Sequence, residues 1–216
     1  MASALPPFVT ETNNYASLCR LLVDVGYQAL KDTFDKIYHP ADLHDGLKCP
    51  STKLTLQTLK EKGLLSIAQW TKLYPTISSS VSSSNFDITL LLFLLKNICR
   101  LNPPVTGWDT LPSAADTSIA GNIARIIYYR NIVCNLHSSQ ASVDDATFNF
   151  YWQNISNALV GLGAGASYLD VINRLKIERT RDSDIDEYYQ VQLKQWKEED
   201  DGTKGKCRMM ESMNCR

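Results

Sequence analysis

An arginine, an amide and a histidine stand within eight residues of one another, at Arg130, Asn131 and His137. Arg130 and His137 are seven residues apart, so on an α-helix they return to the same face. A guanidinium can hold a phosphodiester through its planar fork, and an imidazole that titrates near neutral pH can transfer a proton. The pattern therefore suits phosphate chemistry, although a solvated arginine with a histidine that caps a helix end is the commoner meaning of such a pair.

The reaction that these residues would serve is metal-independent cleavage of RNA. The 2′-hydroxyl beside the scissile phosphate is a built-in nucleophile, so a protein needs to supply only a base, an acid and positive charge at the phosphate. In this hypothesis His137 transfers the proton, Arg130 clamps the phosphate of a single-stranded RNA and Asn131 is a positioning amide. The products would carry 2′,3′-cyclic phosphate ends, and neither a metal nor a cofactor is expected.

The spacing also bears on the oligomeric state. Seven residues at 1.5 Å each separate the two backbone positions by about 10 Å, so one chain alone would form a stretched site. Two copies with these helices facing across a dyad would bring both histidines to one groove, and we therefore expect a homodimer. His137 is predicted in the last helical turn, where the negative end of the helix dipole favours the protonated imidazole.

The elements that must position these residues are predicted to be helices. Helical periodicity dominates the chain from end to end, and no run alternates convincingly with the period of a strand. The motif helix is predicted over residues 116–137. Apolar residues define its inner side, at Ile119, Ile123, Ile126, Ile127 and Val133. The predicted fold class is all-α, a single bundle of about six or seven main helices.

Four segments are predicted along the chain. Residues 1–14 form an N-terminal segment, residues 15–180 a helical domain, residues 181–199 a polar C-terminal helix, and residues 200–216 a disordered tail or a linker. The serine-rich stretch 76–84 is predicted to be a flexible connector, because it holds too little apolar surface to bury.

The composition narrows the classes of function. Lys and Arg total 22 against 23 Asp and Glu, so there is no bulk basic footprint and any RNA contact must be a local patch. The longest apolar run, residues 88–95, is too short to cross a bilayer. The six cysteines include no close pair, and the N-terminus lacks the pattern of a signal peptide. We expect a cytoplasmic protein that does not enter a membrane.

Two other groups of residues could suggest a ligand site, but the sequence favours structural roles for both. Five side chains of metal-ligating type fall within eleven residues, at His39, Asp42, His44, Asp45 and Cys49. Their spacing matches no common zinc pattern and indicates a turn between helices, so no metal site is expected. The glycines of segment 161–165 follow a helix rather than a strand, which favours a helix terminus with a hinge over a dinucleotide site.

Several motifs together resemble a known family. They are His39-Pro40, segments 53–63, 70–75 and 86–91, Asn102-Pro103-Pro104, Gly107-Trp108, the Arg130 to His137 element, and Phe148 with Trp152. Over roughly residues 10–165 the chain resembles a HEPN domain, named for nucleotide binding in higher eukaryotes and prokaryotes. It is most similar to the subgroup found in the DAZ-interacting zinc-finger ubiquitin ligase and in many invertebrate proteins.

The resemblance implies an all-helical bundle that commonly dimerises. Active members are metal-independent endoribonucleases with an arginine, four to six intervening residues and a histidine, and this pattern carries over to Arg130, Asn131 and His137. Many members are instead non-catalytic interaction modules, and eukaryotic relatives often precede death, NACHT or repeat domains. Two functions therefore stay open, an RNA-cleaving or RNA-binding dimer and a module that binds protein partners in cytosolic, including innate-immune, signalling.

Overall fold

The computed structural model describes residues 7–77, 80–136, 142–177 and 183–214. Within these ranges the chain forms helices, turns and loops and no strand, which confirms the all-α prediction. The α-helices of the described residues are α1 (Pro7–Arg20), α2 (Gly26–Ile37), α3 (Leu43–Lys48), α4 (Pro50–Glu61), α5 (Ile67–Leu73), α6 (Ile88–Asn97), α7 (Ile119–Leu136), α8 (Asp145–Leu159), α9 (Gly165–Ile177) and α10 (Ser183–Asn214).

Two five-residue turns of wider helical pitch join neighbouring helices. Leu21–Val25 runs between α1 and α2, and Val160–Ala164 runs between α8, which spans Asp145–Leu159, and α9. Inside the second turn Gly163 has φ 91°, a left-handed conformation that glycine adopts without steric cost, and the helix kinks there. This kink agrees with the hinge expected for segment 161–165.

The chain divides into two compact units. Unit 1 comprises Met1–Ala29 and Asn102–Lys197, and unit 2 comprises Leu30–Leu101 and Glu198–Arg216. The divisions fall within α2 and within α10, and the four segments expected from the sequence stay a prediction. Helical periodicity runs unbroken through both helices, and it therefore gives no signal at the points where the packing partners change.

Unit 1 is organised around α7. Helices α1 and α8 and the turn Val160–Ala164 all contact it. Its side chains at Ile123, Ile126, Ile127 and Val133 are completely buried, as their spacing predicted, whereas Ile119, which we predicted on the same side, is 39% exposed. The turn approaches so closely that a Cβ atom on Gly161 would lie 2.5 Å from Nδ2 of Asn122, so a larger residue there would require the Asn122 side chain to move.

Unit 2 contains the most hydrophobic helix of the described chain, α6. Its side chains from Leu90 to Leu95 are all buried, and Asp87 caps its first turn by accepting a hydrogen bond from the backbone N–H of Leu90 at 2.8 Å. Helix α4 is different, because Leu56 is the buried residue among its described positions. No helix in the described part of the chain is long and apolar enough to span a membrane.

Two expectations about disorder are corrected. The serine-rich stretch 76–84 was expected to be a flexible connector, but Ser83 is buried and begins a single helical turn, Ser83–Asn85. The hydroxyl of Ser82 accepts a hydrogen bond from the N–H of Ser84 at 3.3 Å, so local polar contacts replace the missing apolar surface. Residues 78 and 79 lie outside the described ranges.

Residues 200–216 were predicted to be a disordered tail or a linker, and the described part of this segment is helical as far as Asn214, where α10 ends. Polar contacts hold this half of α10 within unit 2: Thr89 Oγ1 donates to Glu199 Oε2 at 2.7 Å, Lys96 Nζ lies 3.5 Å from Asp200 Oδ1, and Lys206 Nζ donates to the carbonyl of Gly63 at 3.0 Å. Such contacts leave no apolar periodicity in the sequence, and the composition therefore suggested disorder.

Candidate functional site

Arg130 lies on the inner side of α7. It follows Ile126 by four residues and precedes Val133 by three, so the helix turns it toward the core together with these buried side chains. None of its surface is exposed to solvent. The structure thus places the proposed phosphate clamp in the interior of unit 1.

The guanidinium of Arg130 is held from two directions. Its Nε and Nη2 atoms both donate to Oδ1 of Asn131, at 3.2 and 2.8 Å. Its central carbon lies 4.7 Å from the ring centroid of Trp196, within the range of a cation–π contact. A buried charge is tolerated only where hydrogen bonds and contacts of this kind replace water, and Asn131 and Trp196 supply part of that replacement.

The first half of α10 lies across the C-terminal half of α7. The side chains of Leu193 and Trp196 are buried, with 1% and 2% of their surfaces exposed. The thiol of Cys134, one turn after Arg130, donates to the carbonyl of Leu193 at 3.5 Å. In this arrangement a phosphate group cannot reach the guanidinium of Arg130.

The structure describes two of the three predicted site residues, Arg130 and Asn131. Arg130 and Asn131 are in direct contact, and Oδ1 of the amide that we predicted to have a positioning role accepts two hydrogen bonds from the guanidinium. His137 lies outside the described residues, and α7 is described as far as Leu136. The geometry between the arginine and the histidine therefore stays a prediction from the sequence.

Buried phenol and thiol groups lie on the α1 side of this region. Burial raises the pKa of the Cys19 thiol to about 12, and it also raises the pKa of the Tyr15 hydroxyl, which is hydrogen-bonded to Cys19. Both groups are neutral at physiological pH. They offer neither an anion to pair with Arg130 nor a thiolate for nucleophilic chemistry.

Sequence reasoning did not assign a role to α10, although the signal was present. Tyr189, Leu193 and Trp196 recur at intervals of four and three residues on a helix that is otherwise polar. In the structure this stripe faces unit 1. Near its start, the hydroxyl of Tyr189 donates to Oδ2 of Asp24 at 2.7 Å, and the guanidinium of Arg20 lies 5.5 Å from the Tyr189 ring centroid.

The pKa values of Asp24 and Tyr189 are both shifted, first by desolvation and then by their contact. Desolvation raises the pKa of Asp24, although the hydrogen bond from Tyr189 and the nearby charge of Arg20 act in the opposite direction. The pKa of Tyr189 is raised as well, first by desolvation and then by its hydrogen bond to Asp24. We therefore expect the attachment of α10 near Tyr189 to depend on pH.

The cluster of metal-ligating types between His39 and Cys49 does not converge. His44 Nδ1 lies 3.1 Å from Asp45 Oδ1, and Cys49 Sγ lies 3.3 Å from Ser51 Oγ. Within the described ranges no group of three or more His, Cys, Asp or Glu side chains is placed to hold a metal ion.

A family model described as DZIP3/hRUL138-like HEPN matches residues 40–189, which is more than half of the chain. The chain belongs to this HEPN family. It is 27% identical over 179 residues to the mouse E3 ubiquitin-protein ligase DZIP3 and 26% identical over 179 residues to the human one. Each match covers 81% of this chain but 14% of the ligase, so the chain corresponds to a small part of these relatives. No solved structure matches it.

Proposed function

We propose that this HEPN chain is a module that acts through binding and assembly, and that it does not cleave RNA in the arrangement described. The observation that carries the proposal is the complete burial of Arg130 between Asn131 and Trp196. A phosphate clamp must present its N–H groups to the ligand, and this guanidinium donates to an amide and stacks on an indole instead.

The proposed partners are a second copy of this chain and protein partners in cytosolic, including innate-immune, signalling. The near-neutral net charge of −1 supports protein partners over non-specific nucleic-acid binding. Cys19, Cys49, Cys99 and Cys134 are free thiols, which supports a reducing compartment such as the cytosol.

The test is incubation of the full chain with labelled single-stranded RNAs in EDTA, beside a His137→Ala variant and an Arg174→Ala control. Arg174 is exposed on α9, so its removal controls for a general loss of positive charge. We expect no cleavage by any of the three proteins, and light scattering should report a homodimer. Cleavage to 2′,3′-cyclic phosphate ends that His137→Ala abolishes and Arg174→Ala retains would overturn the proposal. A monomer at all concentrations tested would remove its assembly part.

The second candidate is a metal-independent endoribonuclease that acts on single-stranded RNA. The presence of Arg130, Asn131 and His137 at the spacing of active HEPN members favours it. Asn131 would then serve by fixing the orientation of the guanidinium, which is the contact observed. For this activity Trp196 would have to leave the face of Arg130, because no phosphate fits between them at 4.7 Å.

A further inference from the structure

Positive charge is concentrated in one stretch of unit 2. Between Gly46 and Pro75 the chain carries five lysines and a single acidic residue, Glu61, although the net charge of the whole chain is −1. Four of these lysines form no ion pair among the described residues, namely Lys48, Lys53, Lys60 and Lys62. Helices α4 and α5 and the turn between them therefore form a local basic surface on a chain that is close to neutral overall.

Lys206 adds a cation to the same surface. Its Nζ donates to the carbonyl of Gly63 at 3.0 Å, and Gly63 belongs to the turn between α4 and α5. The residue is exposed. This ammonium group thus lies at the turn where Lys62 also stands.

Exposed apolar side chains lie among these charges. Leu54 on α4 is 67% exposed, and Ile67 at the start of α5 is 79% exposed. Leu54 is two residues before the buried Leu56, so the two side chains leave the helix on opposite sides. The outward side of α4 is therefore both basic and apolar.

The contact between Lys60 and Trp70 joins the two helices of this surface. Nζ of Lys60 lies 4.4 Å from the ring centroid of Trp70. Lys53 is seven residues before Lys60 and shares its side of α4, and Ile67 is three residues before Trp70 and shares its side of α5. The contact thus brings the basic side of α4 next to the apolar side of α5.

A cleft of about 450 Å³ adjoins the surface at α5. It is lined by Ala68, Thr71, Lys72, Pro75, Ser80 and Asn85. Ala68 directly follows Ile67, so the cleft opens beside an exposed apolar side chain. Lys72 is already paired with Asp87 at 2.5 Å, and the cleft therefore suits a neutral side chain of a ligand rather than an anion.

We propose that this surface binds an acidic amphipathic segment of a protein partner. The α4–α5 surface comprises Lys53, Leu54, Lys60, Lys62, Ile67 and the cleft. Carboxylates of the partner segment face the lysines, its apolar side chains cover Leu54 and Ile67, and one of them enters the cleft. The inference rests on the proposed function in taking the chain as a binding module, and it specifies the chemistry of one partner.

Single-stranded RNA also has a charge that complements lysines, but the surface suits it less well. Proteins bind such strands through cations and through aromatic faces on which bases stack. The aromatic ring between α4 and α5, that of Trp70, already has the ammonium of Lys60 over it. Leu54 and Ile67 contribute nothing to the binding of phosphate, whereas they match the apolar side chains of an amphipathic peptide.

The first experiment measures binding of a labelled amphipathic peptide of glutamate and leucine to the full chain, by fluorescence anisotropy. We expect binding that weakens as salt is added, because exposed charges are screened. Lys53→Glu and Leu54→Ser should each weaken it about tenfold, and Ala68→Gln should weaken it by placing a longer polar side chain in the cleft. A peptide of lysine and leucine and a peptide of glutamate and serine should both bind more weakly than the first peptide.

Matched controls come from α9 in unit 1. Arg174→Glu changes the net charge by the same amount as Lys53→Glu, and Ile177→Ser removes an apolar side chain that is 80% exposed. Both variants should bind the peptide as the wild type does. The three residues changed in the α4–α5 surface are exposed, so we expect circular dichroism to report the native fold for each variant.

The second experiment locates the bound peptide. A carbodiimide joins carboxylates of the peptide to lysine amines, and mass spectrometry identifies the lysines. We expect cross-links at Lys53, Lys60 or Lys62, and none above background at Lys176, which is exposed on α9.

Three results would overturn the proposal. They are no binding of the glutamate–leucine peptide by the wild type, cross-links as frequent at Lys176 as at Lys53, and equal binding of a single-stranded RNA that Lys53→Glu weakens while Leu54→Ser and Ala68→Gln do not. A homodimer that neither cleaves RNA nor binds the peptide would retain the proposed function and lose this surface. Cleavage of RNA by the wild type would remove the proposed function whatever the peptide does.

Discussion

Each unit of the molecule holds a cation over a tryptophan, and the two pairs lie in opposite environments. In unit 1 the guanidinium of Arg130 lies 4.7 Å from the centroid of Trp196, and in unit 2 the ammonium of Lys60 lies 4.4 Å from that of Trp70. Arg130 and Trp196 are buried, whereas Lys60 and Trp70 are both partly exposed. The geometry of the contacts is similar, so the difference between them is one of solvation.

Solvation decides what each pair contributes. At a partly exposed site water competes for the cation, and the contact stabilises the protein by about 0.5–1 kcal/mol. In the interior the contact replaces water, and removal of one member leaves a cavity or an unpaired polar group that costs several times as much. We therefore expect the cation–aromatic contact to contribute little to the stability of unit 2 and much more to that of unit 1.

The largest expected effect comes from truncating the two cations. Arg130→Ala removes a buried side chain and leaves Oδ1 of Asn131 without two N–H donors, so we expect the free energy of unfolding to fall by about 3 kcal/mol. Lys60→Ala should lower it by less than about 1 kcal/mol. Urea unfolding followed by circular dichroism measures both. Equal losses would mean that Arg130 is exposed in solution, and the contrast between the two units would be wrong.

A second pair of variants replaces arginine by lysine in the buried pair and lysine by arginine in the partly exposed pair. Arg130→Lys keeps the charge but loses the planar fork that donates twice to Asn131, and should cost about 1–2 kcal/mol. Lys60→Arg should change the stability by less than about 0.5 kcal/mol, because a partly exposed ring accepts either cation. The difference in midpoint temperature between each variant and the wild type provides the test. A tolerated Arg130→Lys would show that charge alone, and not the fork, is required in the interior.

The burial of Arg130 could have been predicted from the sequence. Its contact with Trp196 could not. The inner side of α7 was predicted from the isoleucines and Val133, and Arg130 falls within that same stripe. We interpreted it as a phosphate clamp because charged side chains are rarely buried unless they are paired. Its partner Trp196 lies 66 residues later in a polar helix, and no local pattern links the two.

Local rules predicted the ends of helices better than their packing. The helix end at segment 161–165 was expected from its glycines, and α8 begins after Asp144, a residue type that commonly caps helices. Its carboxylate accepts hydrogen bonds from the N–H groups of Ala146 and Thr147. The second half of α10 was missed because its contacts are polar and distant in sequence, and periodicity detects only apolar faces.

The smallest expected effect is a dependence of protein stability on pH. We expect it in unit 1, where Asp24 contacts Tyr189 on the same helix as Trp196, and not at the Lys60–Trp70 pair of unit 2. Because desolvation raises the pKa of Asp24 above 3.8, the folded state binds this proton more tightly than the unfolded chain does. The stabilisation that comes from protonated Asp24 is therefore complete at pH values below 3.8. It is lost as the pH rises through the pKa that Asp24 has in the folded protein. Asp24→Asn keeps an oxygen that can accept from Tyr189 without a charge to desolvate, so it should remove this loss.

The measurement is the midpoint temperature of the wild type and of Asp24→Asn, each determined across the acidic range and at pH 7. We expect the variant to gain on the wild type as the pH rises, by a small amount because the Asp24 side chain is partly exposed to water. The Lys60→Ala variant provides the control from unit 2 and should follow the wild type at every pH. A constant difference between Asp24→Asn and the wild type would show that the carboxyl titrates alike in the folded and unfolded chains. The attachment of α10 at Tyr189 would then be insensitive to pH, and only burial would distinguish the two cation–aromatic pairs.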